Sequence, residues 1–122
     1  EIFEHYNEKL SQFSWAITPN YKREDKISAY HLYLLRIKGI SLSQRNEIIQ
    51  CIFDNDISVN VHYKPLPELT YYKELGYDIK DYPMSKQLWE TEISLPLYYS
   101  LTYEQVETVV NTLIKCYQAI VK

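Results

Sequence analysis

The three histidines are the side chains in this sequence best suited to acid–base chemistry or to hydrogen bonding with a ligand. His5 lies in a helical pattern close to two glutamates, and we interpret it as a surface residue. His31 falls within the strongest predicted strand, where a histidine is more often part of the hydrogen-bonded structure than a working base. His62 ends a predicted strand, where the chain enters a proline-rich loop beside Tyr63. Because such loops often carry functional groups, His62 is the main candidate, although the residues alone fit a structural role equally well.

No other combination of residue types and spacing predicts a self-sufficient active site. The sequence has no C-x-x-C or H-E-x-x-H motif, and no Cys–His or Ser–His–acid arrangement has local support. The cluster Asp54-Asn55-Asp56 lacks the glycine and glutamate of a calcium loop, and we interpret it as a helix end. None of the lysines lies in a context that marks a reactive amine. We therefore expect no catalytic residue, cofactor-binding residue or metal site within this chain.

The composition excludes several classes of function. The net charge of −3 and the pI near 5.6 argue against an electrostatic nucleic-acid interface, which usually shows as a basic stripe. With only two glycines, the chain has no glycine-rich phosphate loop. No segment approaches the ~20 apolar residues that span a bilayer, and no signal peptide opens the chain. We therefore expect a cytoplasmic protein with neither nucleic-acid nor membrane partners.

Two cysteines lie far apart in the sequence, each on a predicted helix. A disulfide between Cys51 and Cys116 fits this placement. In a reducing cytosol, however, we favour two buried free thiols.

Hydrophobic periodicity and turn signals predict the elements that position these residues. In chain order they are a helix at 1–13, strands at 13–17 and 28–37, a helix at 44–53, a strand at 57–61, helices at 68–75 and 82–92, a strand at 93–97 and a long C-terminal helix. Ser43 is the predicted cap of the second helix, and Thr102 with Gln105 forms a capping box for the last. Gly76 marks a left-handed helix end. This mixture predicts one α+β domain over residues 1–122, with a small, mostly antiparallel sheet covered by helices.

Short segments that follow one another in a fixed order connect this chain to a known family. They are the strand 28–33 (SAYHLY), Arg45, the loop 59–66 (VNVHYKPL), Tyr72, Leu75-Gly76-Tyr77, Tyr82-Pro83, the strand 93–97 (ISLPL) and Leu101-Thr102. No single segment is specific, but their order and spacing are. In these features the chain resembles the C-terminal portion of the DegT/DnrJ/EryC1/StrS family of sugar aminotransferases.

The resemblance implies the C-terminal small domain of a fold-type-I transferase that depends on pyridoxal phosphate. Members of the family move an amino group, usually from glutamate, to a nucleotide-linked keto-sugar. The Schiff-base lysine belongs to a large domain that precedes this region, and residues 1–13 would end the helix that links the two domains. The small domain contributes a wall of the substrate cleft, where His62 and Tyr63 match the family's H-Y pair and would bind substrate. A homodimer is also implied, and we expect an isolated fragment to be inert and to self-associate through exposed apolar surface.

Two positions depart from the family's pattern on the substrate side. Relatives often carry a histidine where this chain has Pro67, and many carry another where it has Tyr98. The resemblance therefore does not identify the sugar.

Two other classes of function remain open from the sequence. A regulatory or sensory protein of the same family would come from a parent chain without the Schiff-base lysine. A stand-alone interaction module would use the surface of this tyrosine-rich chain, which has 13 tyrosines, to bind a partner.

Overall fold

A three-stranded antiparallel sheet lies at the centre of the fold, which the computed structural model describes for residues 1–121. Its strands are β1 (Ala16–Ile17), β4 (Tyr33–Ile37) and β5 (Glu92–Leu95), in the order β1-β4-β5. A separate hairpin pairs β2 (Lys22–Arg23) with β3 (Lys26–Ile27). The α-helices of the described chain are α1 (Ile2–Leu10), α2 (Leu42–Phe53), α3 (Thr70–Glu74), α4 (Pro83–Thr91) and α5 (Tyr103–Ile120). The predicted α+β class with a small antiparallel sheet and helices is confirmed.

Strand β4 separates the two sides of the sheet. Its alternate residues Tyr33, Leu35 and Ile37 are fully buried, because successive side chains of a strand point to opposite faces. On that side the ring of Tyr33 packs against Phe3 and Tyr6 of α1. The alternate side chains of β4, Leu34 and Arg36, lie on the opposite face, toward α4. This second face carries the candidate site.

Capping residues decide where two of the helices begin. Helix α5 begins after Thr102, whose side chain and that of Gln105 form the predicted capping box. Helix α2 begins two residues earlier than predicted, because Ser41 rather than Ser43 is its cap and forms a capping box with Gln44. The hydroxyl of Ser43 instead donates to Glu47 one turn along the helix.

The predicted strands at 13–17 and 28–37 are shorter than their sequence patterns indicate, and the one predicted at 57–61 does not form. The segment 28–37 is extended in the sheet only from Tyr33, because Tyr30 adopts a left-handed conformation with φ of 55° that breaks the strand. The segment 57–61 forms no strand and pairs with the sheet only through a bridge between Asn60 and Ser94. Its alternation nevertheless predicts the buried side chain correctly, since Val59 is buried.

A disulfide joins α2 to α5, so the prediction of two free thiols is wrong. Cys51 and Cys116 are bonded, and their Cα atoms lie 5.8 Å apart across the packed helices. The bond forms because α2 packs against α5, which brings together two cysteines that are 65 positions apart in sequence.

The core and the exposed apolar residues lie in different parts of the chain. Most buried side chains come from α1, α2, α5 and the central sheet, and connecting segments add Ile40, Val59 and Leu101. By contrast, no residue from Asn60 to Thr91 is buried, and several large apolar side chains there are exposed: Tyr63, Leu66, Tyr71, Leu75, Tyr77 and Met84. Within residues 1–121 no helix is both long and apolar enough to cross a membrane.

Candidate functional site

His62 is held against strand β5 by two hydrogen bonds. Its backbone N–H donates to Oε2 of Glu92 at 3.0 Å, and its Nδ1 lies 2.7 Å from Oγ of Ser94. The hydroxyl of Ser94 also hydrogen-bonds Oε1 of Glu92. Glu92 and Ser94 lie on the same face of β5 because they are two residues apart. The strand therefore fixes both the backbone and the ring of His62.

Glu92 is a carboxylate in an unusual position, since it is only 5% exposed. Burial raises its pKa above the ordinary range, while hydrogen bonds from Ser94 and from the His62 backbone oppose this effect. The charge of Arg45 favours the ionised form as well. A buried carboxylate of this kind is stabilised only as long as these partners remain in place.

Arg45 supports the strand from the side of helix α2. It is 3% exposed, and its guanidinium donates to the backbone carbonyl of Glu92 at 3.3 Å and lies 5.9 Å from the centre of the Trp89 ring. Burial lowers its pKa, and the neighbouring charge of Glu92 opposes the shift. Among the described residues, Nε of Arg45 has no hydrogen-bond partner.

His62 lies between two open grooves on the molecular surface. The first, with a volume of about 420 Å³, has an aromatic and apolar wall that includes Tyr63, Leu88 and Trp89, and Arg36 of β4 lines it too. The second, of about 310 Å³, is lined by residues around β5 that include His31 and Ser94. Grooves with apolar walls and a few polar groups are typical of small-molecule sites.

Tyr63 differs from His62 in that the protein does not bury its ring. It is 74% exposed and packs edge-to-face on His62, with 4.7 Å between the ring centres. The peptide bond between the two residues is cis. The two side chains predicted to bind substrate therefore lie side by side on the surface, one anchored and the other open to contact.

The other two histidines differ from their sequence-based interpretation. His31 lies before β4 rather than within it, and it is exposed in the groove beside His62. His5 is not simply a surface residue, because its Nε2 contacts Oε1 of Glu107 at 3.1 Å and so links α1 to α5. Lys9 binds the same carboxylate oxygen at 2.7 Å. Of the three histidines, only His62 combines anchoring with access to both grooves.

The described residues around the grooves provide neither a metal-binding cluster nor a lysine that could hold pyridoxal phosphate. No group of three or more metal-ligating side chains occurs within residues 1–121. None of the lysines up to Lys115 lines either groove, and each of them is exposed or half-buried. These residues therefore do not fit the Schiff-base attachment of pyridoxal phosphate.

Sequence reasoning missed Glu92, Ser94 and Arg45, which support His62. A signal for the first two was present, since polar residues at alternate positions interrupt the apolar strand around Ile93. It could not be linked to His62, because the residues come together only through pairing between distant segments. Arg45 was one of the recurring features, but the sequence alone indicated no role for it.

Comparison with known proteins places this chain in a family. The sequence model of the DegT/DnrJ/EryC1/StrS aminotransferase family matches residues 1–114. A Streptococcus pneumoniae protein described as a sugar aminotransferase, Spr1654, has in its PLP form a TM-score of 0.92 and 37% identity to this chain, covering 99% of this chain and 31% of its own.

Two curated relatives show the same pattern of coverage. The spore coat polysaccharide biosynthesis protein SpsC of Bacillus subtilis is 32% identical over 91% of this chain and 29% of its own length. The UDP-4-amino-4,6-dideoxy-N-acetyl-beta-L-altrosamine transaminase of Campylobacter jejuni is 28% identical over 94% of this chain and 29% of its own length. The chain thus spans less than a third of the length of these relatives. By its match to the family model over nearly all of its length, the chain belongs to the DegT/DnrJ/EryC1/StrS aminotransferase family.

Proposed function

We propose that this chain, as one domain over residues 1–122, is the C-terminal small domain of a longer aminotransferase. In that enzyme it forms a wall of the cleft that binds a nucleotide-linked keto-sugar. The observation that carries the proposal is the anchored His62 beside the exposed Tyr63 at the junction of two grooves. The names of the two relatives, one for polysaccharide biosynthesis and one for a UDP-sugar transaminase, support this substrate class and a role in making a polysaccharide.

The chemistry is divided between this chain and the rest of the parent protein. Pyridoxal phosphate, held by a lysine outside residues 1–122, would supply the electron sink for transfer of the amino group from glutamate. The side chains described here bind and orient the sugar nucleotide. His62 offers a fixed ring nitrogen to a polar group of the substrate, and Tyr63 offers an exposed aromatic face to a flat or apolar part of it.

The parent enzyme is a homodimer in this proposal, and the N-terminal segment 1–13, with helix α1, ends the connection to the large domain. The exposed apolar side chains between Asn60 and Thr91 support a surface that is covered in the assembled protein. We expect the 122-residue chain alone to form concentration-dependent dimers in sedimentation experiments. A strictly monomeric chain at high concentration would contradict this part of the proposal.

A cytoplasmic location completes the proposal, and the disulfide between Cys51 and Cys116 provides a test of it. A reducing cytosol disfavours such a bond. Alkylation of thiols during rapid cell lysis reports their state. Two modified thiols agree with the cytoplasm, whereas a pair that stays resistant indicates an oxidising compartment.

The absorption spectrum of the full-length parent, purified with pyridoxal phosphate, tests the proposed function. We expect the band of the bound cofactor to convert to that of the pyridoxamine form when glutamate is added. If no cofactor binds, the aminotransferase proposal is wrong, and a regulatory member of the same family becomes the better explanation.

A further inference from the structure

The hydroxyl of Ser94 lies between the carboxyl group of Glu92 and the ring of His62, which differ in their ability to donate a hydrogen bond. It contacts Oε1 of Glu92 on one side and Nδ1 of His62 on the other. A serine hydroxyl has one hydrogen to donate, so it can serve as donor to only one of these partners. The direction of the two hydrogen bonds therefore depends on which partner receives that hydrogen.

An ionised Glu92 determines the direction, because a carboxylate can only accept hydrogen bonds. Its Oε2 accepts the backbone N–H of His62, so its Oε1 accepts the hydroxyl hydrogen of Ser94. Oγ of Ser94 must then accept from His62, and Nδ1 of His62 must carry a proton. In the neutral ring Nε2 then carries no proton and acts as a hydrogen-bond acceptor. Within residues 1–121 only Nδ1 of this ring has a hydrogen-bond partner.

We infer that Glu92 and Ser94 are positioning residues that hold His62 in the Nδ1–H tautomer, so that Nε2 accepts a hydrogen bond from a donor group of the ligand. As an acceptor, Nε2 selects a hydroxyl, which can donate a hydrogen bond. A phosphate oxygen can only accept one, so it would need a donor in this place. The inference rests on the proposed function for the identity of that ligand, which would be the hydroxyl-rich sugar. The arrangement of Glu92, Ser94 and His62 itself does not depend on it.

The charged surroundings of the pair are consistent with an ionised Glu92. Arg45 lies behind the strand and donates to the backbone carbonyl of Glu92, and Arg36 stands opposite Glu92 in the neighbouring strand β4. Among residues 1–121, Glu92 supplies the one carboxylate that lines the groove on this side of the site. If Glu92 were protonated at Oε1, it would donate to Ser94, and Ser94 would donate to Nδ1. The proton of His62 would then lie on Nε2, which makes the two cases distinguishable.

Nitrogen-15 NMR of the histidine rings distinguishes the two tautomers directly, since the chemical shifts of the two ring nitrogens report which one is protonated. The experiment uses the labelled 122-residue chain at pH 8. The signals of His62 are assigned by their loss in His62→Gln. We expect the Nδ1–H tautomer in the wild type and a shift toward Nε2–H in both Ser94→Ala and Glu92→Gln.

Control variants separate this effect from a general disturbance of the site. Ser58→Ala removes a hydroxyl from the same groove without touching the ring of His62, and the wild-type tautomer should remain. Ser94→Thr keeps the hydroxyl and should keep the tautomer. An Nε2–H signal in the wild type, or an unchanged tautomer in both Ser94→Ala and Glu92→Gln, would overturn the inference. Because no substrate is present, neither result bears on whether the parent is an aminotransferase.

Discussion

At the scale of single residues, buried tyrosines show how this chain combines a polar group with a tight core. Tyr6 and Tyr33 are fully buried, and each hydroxyl has a partner. The hydroxyl of Tyr6 donates to the Pro96 carbonyl at 3.0 Å, and that of Tyr33 donates to Oδ1 of Asn7 at 2.7 Å. Burial raises the pKa of both hydroxyls, so they remain donors. The abundance of tyrosine favours such boundary positions, but the partner of Tyr6 lies 90 residues away and could not be predicted.

Tyr6→Phe should destabilise the fold by about 1 kcal/mol, because it leaves the Pro96 carbonyl without its buried donor. The matched control is Tyr99→Phe, which removes a hydroxyl from a fully exposed ring and should change the free energy of unfolding by less than about 0.5 kcal/mol. Urea unfolding measures both. Equal stability of the two variants would contradict the assigned hydrogen bond.

Glu92 predicts a pH dependence of stability with a definite sign. Because its pKa is raised in the folded chain, its contribution to stability is complete below the unfolded value near 4.5 and is lost as pH rises through the folded pKa. Glu92→Gln cannot ionise, so the stability of the wild type relative to this variant should fall between pH 4.5 and neutrality. Urea unfolding of both proteins over this range gives the difference in their free energy of unfolding. The contributions of the other carboxylates cancel in this difference. A difference that rises with pH would contradict the assignment.

At the scale of elements, local signals predicted helices better than strands. The capping box of α5 and the left-handed Gly76, with φ of 90°, were both predicted correctly, because these signals act within a few residues. Strand β4 is short because Tyr30 turns out of the extended conformation and its ring packs on Phe3 at 5.2 Å. The alternating segment 57–61 forms no strand, because it pairs with the sheet only at the bridge between Asn60 and Ser94. Both errors arise because strands depend on partners that are distant in sequence.

The disulfide between α2 and α5 should contribute about 4 kcal/mol, since it closes a loop of 65 residues in the unfolded chain. Reductant should lower the free energy of unfolding of the wild type by up to this amount. The double variant Cys51→Ala/Cys116→Ala should be less stable from the outset and should not respond to reductant. If reductant leaves the wild type unchanged, the two cysteines do not form this bond in solution.

At the scale of the whole molecule, the candidate site was predicted in part. His62 and Tyr63 were identified from their place in the recurring segments, and the structure puts them together at the grooves. Their supports, Arg45 on α2 and Glu92 with Ser94 on β5, could not be identified, because only the folded chain brings these elements to one place. The exposed apolar segment from Asn60 to Thr91 also becomes visible only when the core is known.

The most direct test of the central claim is the KM of the full-length parent for a UDP-linked keto-sugar, measured in His62→Ala and in the control Tyr99→Ala. Loss of one hydrogen bond to the sugar should raise this KM roughly 3- to 10-fold in His62→Ala. The half-reaction with glutamate should stay unchanged, and Tyr99→Ala should match the wild type. An unchanged KM in His62→Ala would contradict the placement of His62 on the substrate wall.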